Sequence, residues 1–373
     1  MRVSREQGHK SGAWRSVGLR EGSECYGKFP NSRSLNNREI GNFSPRSGGK
    51  DVPPGLIRHN GMQHIQELPG GSMRVERWIV PSGPLRLAHA LLYLRTSPSA
   101  VLEKVTEDAC RRALRINERA VLLQVRQEGQ GVRVTLWGDA LDDATVAAAE
   151  AEVRRIFLLD EDPGDFYREV PLRDRVLGRV MEDYLWARPV LIADPLEALM
   201  WAIIGQQVNV AFARKLKARL VELCGGVLEV DGERYWVFPP AWRIADLPED
   251  LLRGNQFSRQ KARYILGLAR AVASGELDLR ALGVLPVEEA IAELVRFLGV
   301  GRWTAEYVLM RGLGRPDVIP AADLGLRAVM GRHYLGGRVA TEAEVREISA
   351  AWSPWRAWGA WLWWLHLQVT RGV

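Results

Sequence analysis

A glycine turn and a single carboxylate have the residue types and the spacing that could support chemistry in this chain of 373 residues. The turn, residues 298–301, reads Leu-Gly-Val-Gly and lies between two stretches with the apolar periodicity of helices. Two glycines permit positive φ and the close approach of another backbone. A helix starting at Arg302 would point its free N–H groups at the turn, which could then bind an anion such as phosphate. The alternative is an ordinary helix corner with a glycine C-cap.

The carboxylate is Asp323, which lies 22 residues after Gly301 and directly before an apolar stretch. An aspartate in this place can be a helix N-cap and nothing more. It can also be a reactive anion, since we expect the helix dipole and N–H donors to keep it ionised. Such a carboxylate could stabilise an oxocarbenium-like sugar, as carboxylates do in glycoside hydrolysis. The residue by itself leaves both interpretations open.

The composition predicts an intracellular protein with one or two buried cores. Hydrophobic residues make up 47% of the sequence, which is enough for such cores. Cys25, Cys110 and Cys224 are too far apart for the ligand spacing of zinc or iron–sulfur sites. No apolar run reaches the roughly 18 residues that a membrane span needs. We therefore expect a reduced, cytoplasmic protein with no membrane partner, associated with the nucleoid if the source is bacterial.

The net charge of +6 lies mostly in the N-terminal segment. Residues 1–72 hold 11 basic and 6 acidic residues, and the remainder holds 40 basic and 39 acidic residues. Any nucleic-acid contact must then be a local patch. Residues 1–72 also lack hydrophobic periodicity, so we predict a disordered extension. A start codon assigned too far upstream of Met62 or Met73 is our preferred explanation for it.

Residues 73–160 are predicted to form a small N-terminal α/β domain, because strand and helix patterns alternate there. The predicted strands span 121–125 and 132–137, and the predicted helices span 84–94 and 142–157.

Residues 161–373 are predicted to form a second, helical domain. Asp194-Pro195 and Ser353-Pro354 each combine an N-cap residue with a proline suited to the first helical position. The helices predicted here span 194–210, 259–273, 287–297 and 302–312, with a last helix opening at 353.

Three stretches together resemble the helix–hairpin–helix DNA glycosylase superfamily. They are the run 298–305 with Asp323 behind it, the run Ala-Ile-Ile-Gly-Gln-Gln-Val-Asn-Val at 202–210, and Trp-Ser-Pro-Trp-Arg at 352–356 before a Trp-rich helix. The last run is similar to the C-terminal segment of the DNA-3-methyladenine glycosylase II branch. The resemblance covers about residues 73–373. It implies an α+β fold, in which a small TBP-like antiparallel sheet with helices precedes an all-α glycosylase domain.

The resemblance also assigns roles to individual residues. The acid behind the hairpin is catalytic in this superfamily, which implies that Asp323 stabilises positive charge developing on the deoxyribose. The hairpin is implied to bind DNA phosphate through its backbone. The residues given this DNA-binding role are Leu298, Gly299, Val300, Gly301 and Thr304. The carbonyl groups of Leu298 and Val300 are further implied to hold a structural Na⁺ or K⁺, with no side-chain metal ligand and no other cofactor.

Trp303 occupies the position where bifunctional members of the superfamily have a lysine. Strand nicking through a Schiff base needs that amine, so the resemblance implies a monofunctional enzyme without lyase activity. Trp303, Tyr307 and Trp364 match positions that line the base pocket. Six of the 14 tryptophans fall between 352 and 364, and a turn of roughly 100° per residue points them all around a helix. An aromatic wall suits a cationic alkylated purine.

Gln207 matches the position that fills the gap left by a flipped nucleotide. The best-known member of the family has a leucine wedge there, whereas an amide can also hydrogen-bond the orphaned base. The alternative is an exposed polar helix residue.

The resulting prediction is a monomeric, monofunctional glycosylase that excises alkylated purines from double-stranded DNA. Two alternatives stay open. A non-catalytic helix–hairpin–helix DNA-binding module would need the hairpin but not Asp323 or the aromatic helix. A glycosylase for oxidised guanine would share the architecture, although the absence of lysine at position 303 argues against it.

Overall fold

The computed structural model describes residues 64–67, 73–95 and 100–370. The strands are β1 (His64–Glu67), β2 (Met73–Ile79), β3 (Glu103–Val105), β4 (Ala109–Ile116), β5 (Arg119–Glu128), β6 (Gly131–Gly138), β7 (Gly226–Val230) and β8 (Glu233–Val237). The helices are α1 (Leu87–Leu94), α2 (Asp143–Ile156), α3 (Gly164–Arg173), α4 (Arg175–Asp183), α5 (Pro195–Gly205), α6 (Val210–Cys224), α7 (Ala241–Ala245), α8 (Glu249–Gly254), α9 (Arg259–Ser274), α10 (Val287–Val295), α11 (Arg302–Arg311), α12 (Leu324–Tyr334), α13 (Glu342–Ser349) and α14 (Arg356–Thr370). None of these described helices is both long and apolar enough to cross a membrane.

Strand β1 lies inside the segment predicted to be a disordered extension. It pairs antiparallel with β2, from His64 opposite Glu76 to Glu67 opposite Met73. The rest of that prediction concerns residues 1–63 and 68–72, which lie outside the described residues.

Six strands form one antiparallel sheet in the order β1-β2-β6-β5-β4-β3. Side chains alternate along β5 because successive residues of a strand face opposite sides. Leu123 and Val125 join the main core, whereas Leu122 faces the other side. The hairpin of β7 and β8 covers that side, where Trp137 and Tyr235 belong to the same buried cluster as Leu122. This hairpin lies within the region predicted to be helical throughout, so the prediction is wrong there.

The fold class predicted from the sequence is confirmed, since a small antiparallel sheet with helices precedes a mainly helical region. The strands predicted at 121–125 and 132–137 are β5 and β6, and the helices predicted at 84–94 and 142–157 are α1 and α2. The helices predicted at 259–273, 287–297 and 302–312 are α9, α10 and α11.

The helix predicted to span 194–210 is two helices. Asp194 caps α5 as expected, accepting a hydrogen bond from the Leu196 amide. However, α5 ends at Gly205, and Asn209 caps the new helix α6 by accepting from the Phe212 amide at 2.8 Å. The polar residues between the two helices form a short connection instead of a continuing helix.

The last helix begins at Arg356, three residues later than predicted. The Ser353–Pro354 peptide is cis, and the Ser353 hydroxyl donates to Asp317 at 3.0 Å rather than capping a helix. The Arg356 guanidinium also binds the Asp317 carboxylate, at 2.7 and 2.9 Å. Asp317 therefore ties the start of α14 to the loop that leads towards α12.

A buried ionic cluster joins the sheet to the helices. Glu197 on α5 binds the Arg112 guanidinium of β4 and the Lys217 ammonium of α6, the latter at 2.5 Å. Glu197 and Lys217 are fully buried, and Arg112 is 6% exposed. The apolar core around this cluster is continuous, extending from the inner face of the sheet to α14.

Candidate active site

Asp323 lies at the N-terminus of α12, where it is the N-cap predicted from the sequence. Its Oδ1 accepts a hydrogen bond from the Leu326 amide at 2.8 Å. The same oxygen accepts a second hydrogen bond, at 3.1 Å, from the indole N–H of Trp364 on α14. The carboxylate is therefore held by two elements and has a fixed direction.

Burial raises the pKa of the Asp323 carboxyl above its ordinary value. The Leu326 amide, the Trp364 indole, the Gly325 amide and the Trp303 indole each act in the opposite direction. The N–H donors thus favour the charged form, as the sequence predicts, but burial has the larger effect on the pKa and was not foreseen. An ionised Asp323 is a destabilised anion that gains from a nearby positive charge.

Three aromatic side chains form a row that ends at this carboxylate. The ring centroids of Trp303 and Tyr307, one turn apart on α11, are separated by 5.6 Å. Those of Tyr307 and Trp364 are separated by 6.0 Å. The structure therefore places the three residues predicted to line a base pocket next to one another and next to Asp323.

The remaining tryptophans near the C-terminus pack into the core. Trp352, Trp361 and Trp363 are fully buried, and Trp358 is 5% exposed. Tryptophans that point in different directions are all covered, because α14 is enclosed on several sides, as expected for a helix that is apolar all round. Trp364 is the member of this group that reaches Asp323.

The hairpin between α10 and α11 is a tight turn closed by a hydrogen bond from the Val300 amide to the Phe297 carbonyl at 3.1 Å. Gly299 has φ +91°, and a Cβ there would lie 2.3 Å from the Tyr264 ring. Gly301 has φ −98°, so of the two glycines only Gly299 needs positive φ. Leu298 is 74% exposed at the tip, whereas Val300 is buried.

The start of α11 has no side-chain cap. Gly301 is its N-cap residue, and Thr304, which was predicted to contact DNA, is 2% exposed. A DNA contact at Thr304 would have to use its backbone amide, because its side chain is turned inward.

The connection between α5 and α6 contains two glutamines in different environments. The Gln206 amide donates to the Gly299 carbonyl at 2.9 Å and lies 3.4 Å from the Thr304 hydroxyl. Gln207 is exposed and has φ +56°. The structure thus places Gln207 at the surface beside the hairpin, and it shows a role for Gln206 that the sequence analysis did not assign.

Two further residues near the row were also missed. The Arg311 guanidinium lies over the Tyr93 ring, 4.9 Å from its centroid, and the Tyr93 ring is 5.2 Å from that of Trp361. Asp323 raises the pKa of both Tyr93 and Tyr307, in addition to the larger effect of burial. Tyr93 comes from α1, more than 200 residues before α11, so no local pattern could have connected them.

No cluster of three or more His, Cys, Asp or Glu side chains that could hold a metal ion occurs among the described residues. A monovalent cation at the hairpin would need main-chain oxygens. The Gly299 carbonyl accepts from Gln206, whereas the structure shows no hydrogen bond from a described residue to the carbonyls of Leu298 or Val300. These two carbonyls are compatible with the predicted site.

Comparison with known proteins identifies relatives of the helical region. Residues 200–354 match the family model described as HhH-GPD superfamily base excision DNA repair protein. A DNA-3-methyladenine glycosylase of Bacillus subtilis (strain 168) is 40% identical over 196 residues, a match that covers 52% of this chain and 64% of that protein. DNA-3-methyladenine glycosylase 2 of Escherichia coli (strain K12) is 34% identical over 190 residues, covering 50% of this chain and 62% of that protein. This chain therefore spans less than two thirds of either relative.

The similarity to a solved structure is more extensive. The 3-methyladenine DNA-glycosylase from Archaeoglobus fulgidus superposes with a TM-score of 0.70 at 27% identity. The match covers 80% of this chain and 100% of that chain, so it includes more of the chain than the family model does.

Proposed function

We propose that this chain, whose residues 200–354 belong to the HhH-GPD superfamily of base excision DNA repair proteins, is a DNA glycosylase. Its substrates would be alkylated purines of the 3-methyladenine kind in duplex DNA. The names of the relatives support this proposal. The observation that carries most weight is the position of Asp323, a partly buried carboxylate that accepts a hydrogen bond from the Trp364 indole at the end of the aromatic row.

The reaction would be hydrolysis of the bond between base and deoxyribose. The lesion leaves the DNA stack, at a cost of a few kcal/mol, and enters the site beside the aromatic row. As the bond breaks, positive charge develops on the sugar, and the Asp323 carboxylate stabilises it. Burial has already raised the free energy of this anion, so the charge pair gains more than it would in water.

The hairpin and the glutamine loop would position the DNA for this step. The uncapped N-terminus of α11 offers backbone N–H groups to a phosphate without reading sequence. Main-chain carbonyls of Leu298 and Val300 would hold a Na⁺ or K⁺, which would add positive charge next to that phosphate. Gln207, exposed beside the hairpin, would occupy the gap left by the lesion.

Trp303 accounts for the proposed absence of strand cleavage. Its indole lies in the row at 5.6 Å from Tyr307, and it has no amine that could form a Schiff base with the sugar. We expect no covalent adduct when borohydride is added to the protein with a lesion duplex. Efficient trapping would contradict a monofunctional mechanism.

The proposal is tested by base release from methylated duplex DNA by the wild-type protein and by Asp323→Asn. Asparagine retains the N-cap but removes the charge, so we expect excision to fall by at least about a hundredfold, in line with the loss of one electrostatic stabiliser, while DNA binding persists. Asp142→Asn is the matched control, because Asp142 is also a helix N-cap and accepts from the Thr145 amide at 2.8 Å. Full activity of Asp323→Asn would refute the assigned mechanism.

A further inference from the structure

A buried positive charge lies beside Tyr307, the middle residue of the aromatic row. Arg311 follows Tyr307 by one turn of α11 and is 1% exposed. Its guanidinium donates to the Val190 carbonyl and lies 4.9 Å from the centroid of the Tyr93 ring. Trp361 closes the other side of Tyr93 at 5.2 Å. The cation is thus enclosed between α1, α11 and α14, behind the row.

Within the part of the chain that the structure describes, the positive charge of Arg311 is not offset by a carboxylate in direct contact with it. The ion pairs formed by the described residues do not include Arg311, whose side chain donates to the Val190 carbonyl and whose Nε has no hydrogen-bond partner. A buried charge without a counter-ion is costly and its field extends further than that of a pair. Burial is the main cause that raises the pKa of Tyr307; Arg311 opposes it and Asp323 adds to it. Tyr307 is therefore close enough to both the Asp323 carboxylate and the Arg311 guanidinium for each to act on it.

The two charges act on different parts of the reaction. When the bond between sugar and base breaks, its electron pair stays on the base nitrogen. A neutral purine then leaves as an anion, whereas a purine that carries an extra alkyl group on nitrogen is cationic and leaves neutral. The water oxygen bonds to the sugar carbon and releases one proton, which goes to the anionic base in the first case and to solvent in the second.

A cation behind the base favours one of these leaving groups over the other. It stabilises negative charge that develops on a neutral purine, and it opposes the binding of a purine that is already cationic. Asp323 acts on the sugar in both cases, so it does not discriminate between them in this way.

We propose that Arg311 is a specificity-determining residue that shifts the site towards neutral purine lesions bearing a carbonyl group, relative to cationic N-methylated purines. Hypoxanthine is the simplest lesion of the favoured class. This inference rests on the proposed glycosylase function and concerns the choice among its substrates.

The test compares single-turnover excision of hypoxanthine and of 7-methylguanine from otherwise identical duplexes. The variants are Arg311→Met, which keeps a long apolar side chain without charge, and Arg311→Lys, which keeps the charge. We expect Arg311→Met to lower the ratio of hypoxanthine to 7-methylguanine rates by about tenfold, equivalent to about 1.4 kcal/mol. Arg311→Lys should retain a ratio close to that of the wild type. An unchanged ratio in a folded Arg311→Met protein would overturn the inference.

A second measurement does not depend on the folding of an Arg311 variant. Free xanthine loses a proton near neutral pH. Xanthine can therefore be tested as an inhibitor of the binding of Asp323→Asn protein to a lesion duplex, at pH values below and above the pKa of xanthine. We expect the xanthine anion to bind more tightly than the neutral form, since the competing carboxylate has been removed. Weaker binding of the anion would contradict an electropositive site.

The outcomes distinguish failure of the proposed role of Arg311 from failure of the proposed glycosylase function. Release of both bases by the wild type, with equal ratios in all three proteins, would leave the glycosylase intact and overturn the role of Arg311. Release of neither base by the wild type would overturn both.

Discussion

The Asp323 side chain is subject to two opposing effects, because helix capping favours its ionised form and burial disfavours it. As an N-cap it accepts from the Leu326 amide and does so more strongly when ionised, whereas burial deprives the ionised form of hydration. The structure offsets this loss with the N–H donor of Trp364, which belongs to the row where a substrate base would stack. The same side chain thus adjusts the charge of the acid and forms part of the wall of the proposed site.

The pH dependence of excision should report this balance. Burial raises the pKa of Asp323 from its ordinary 3.8, so the active, ionised form is present above the raised pKa and is lost as pH falls through it. We expect the acid limb of the single-turnover rate to lie above pH 3.8. Trp364→Phe removes the donor at 3.1 Å and should move that limb to still higher pH.

Trp358→Phe is the control for this experiment, because Trp358 lies on the same helix but packs against Phe166, 5.4 Å away. It should leave the acid limb in place. Coincident pH profiles for Trp364→Phe and the wild type would show that the indole does not act on the carboxylate.

Sequence reasoning was most successful where chemistry depends on neighbours along the chain. Asp323 as an N-cap and Gly299 as a residue with positive φ followed from residue type and spacing. The contact between Tyr93 and Arg311 could not be predicted from the sequence, because it results from the packing of α1 against α11 and α14. The effect of burial on the Asp323 pKa was not foreseen for the same reason, since burial is a property of the whole fold.

At the scale of elements, Gln206 connects the loop between α5 and α6 to the hairpin. Its bond to the Gly299 carbonyl at 2.9 Å spans 93 residues of sequence. Lys261 on α9 reaches the end of α5 from another side, donating to the Ile204 carbonyl at 2.5 Å. These two contacts hold the chain on the N-terminal side of the exposed Gln207, and the first of them connects this loop directly to the hairpin.

Gln206→Met should separate DNA binding from base flipping. It removes a hydrogen bond worth about 0.5–1.5 kcal/mol while keeping the length of the side chain. We expect the single-turnover excision rate to fall by about tenfold, with a much smaller change in affinity for undamaged duplex. Gln130→Met, in the exposed turn between β5 and β6, is the control and should change neither quantity. Equal losses of affinity and rate in Gln206→Met would show that the hairpin itself, and not the loop, depends on this bond.

Element boundaries show the same limit of local patterns. The helices from 259, 287 and 302 were predicted within two residues because caps and apolar periodicity agree there. The breaks at Gly205 and at Ser353 were missed, since each depends on a polar partner far away in sequence: Gly299 for Gln206, and Asp317 for Ser353.

At the scale of the whole molecule, the sheet and the helices share one core and one buried ionic cluster. Glu197 is the only acid that binds both Arg112 and Lys217 among the described residues. Burial lowers the pKa of the Lys217 ammonium, and Glu197 opposes that change. Glu103 also pairs with Arg112 at 2.6 Å, so Glu197 is the acid that links the two cations to each other. Through Glu197, β4 is coupled to α5, the helix that leads to Gln206.

Glu197→Gln should destabilise the protein strongly. It removes the carboxylate that binds both Lys217 and Arg112, although Arg112 keeps its pair with Glu103 at 2.6 Å. Removing one partner of a buried pair costs about 3–5 kcal/mol. The free energy of unfolding in urea measures this loss. Glu293→Gln is the control, because Glu293 pairs with the exposed Arg296 on the surface at 2.8 Å, where such pairs contribute at most about 1 kcal/mol. A loss of similar size in both variants would argue against a special role for the buried cluster.

Strand β1 has a practical consequence for how this protein behaves at high concentration. By pairing with residues Met73–Glu76 it covers one edge of the sheet, and an uncovered edge offers free N–H and C=O groups to another chain. A gene product initiated at Met62 would retain β1, whereas one initiated at Met73 would expose β2 along its outer side. Light scattering should therefore show a monodisperse protein for the first and progressive self-association for the second, although the two share every residue of the proposed active site.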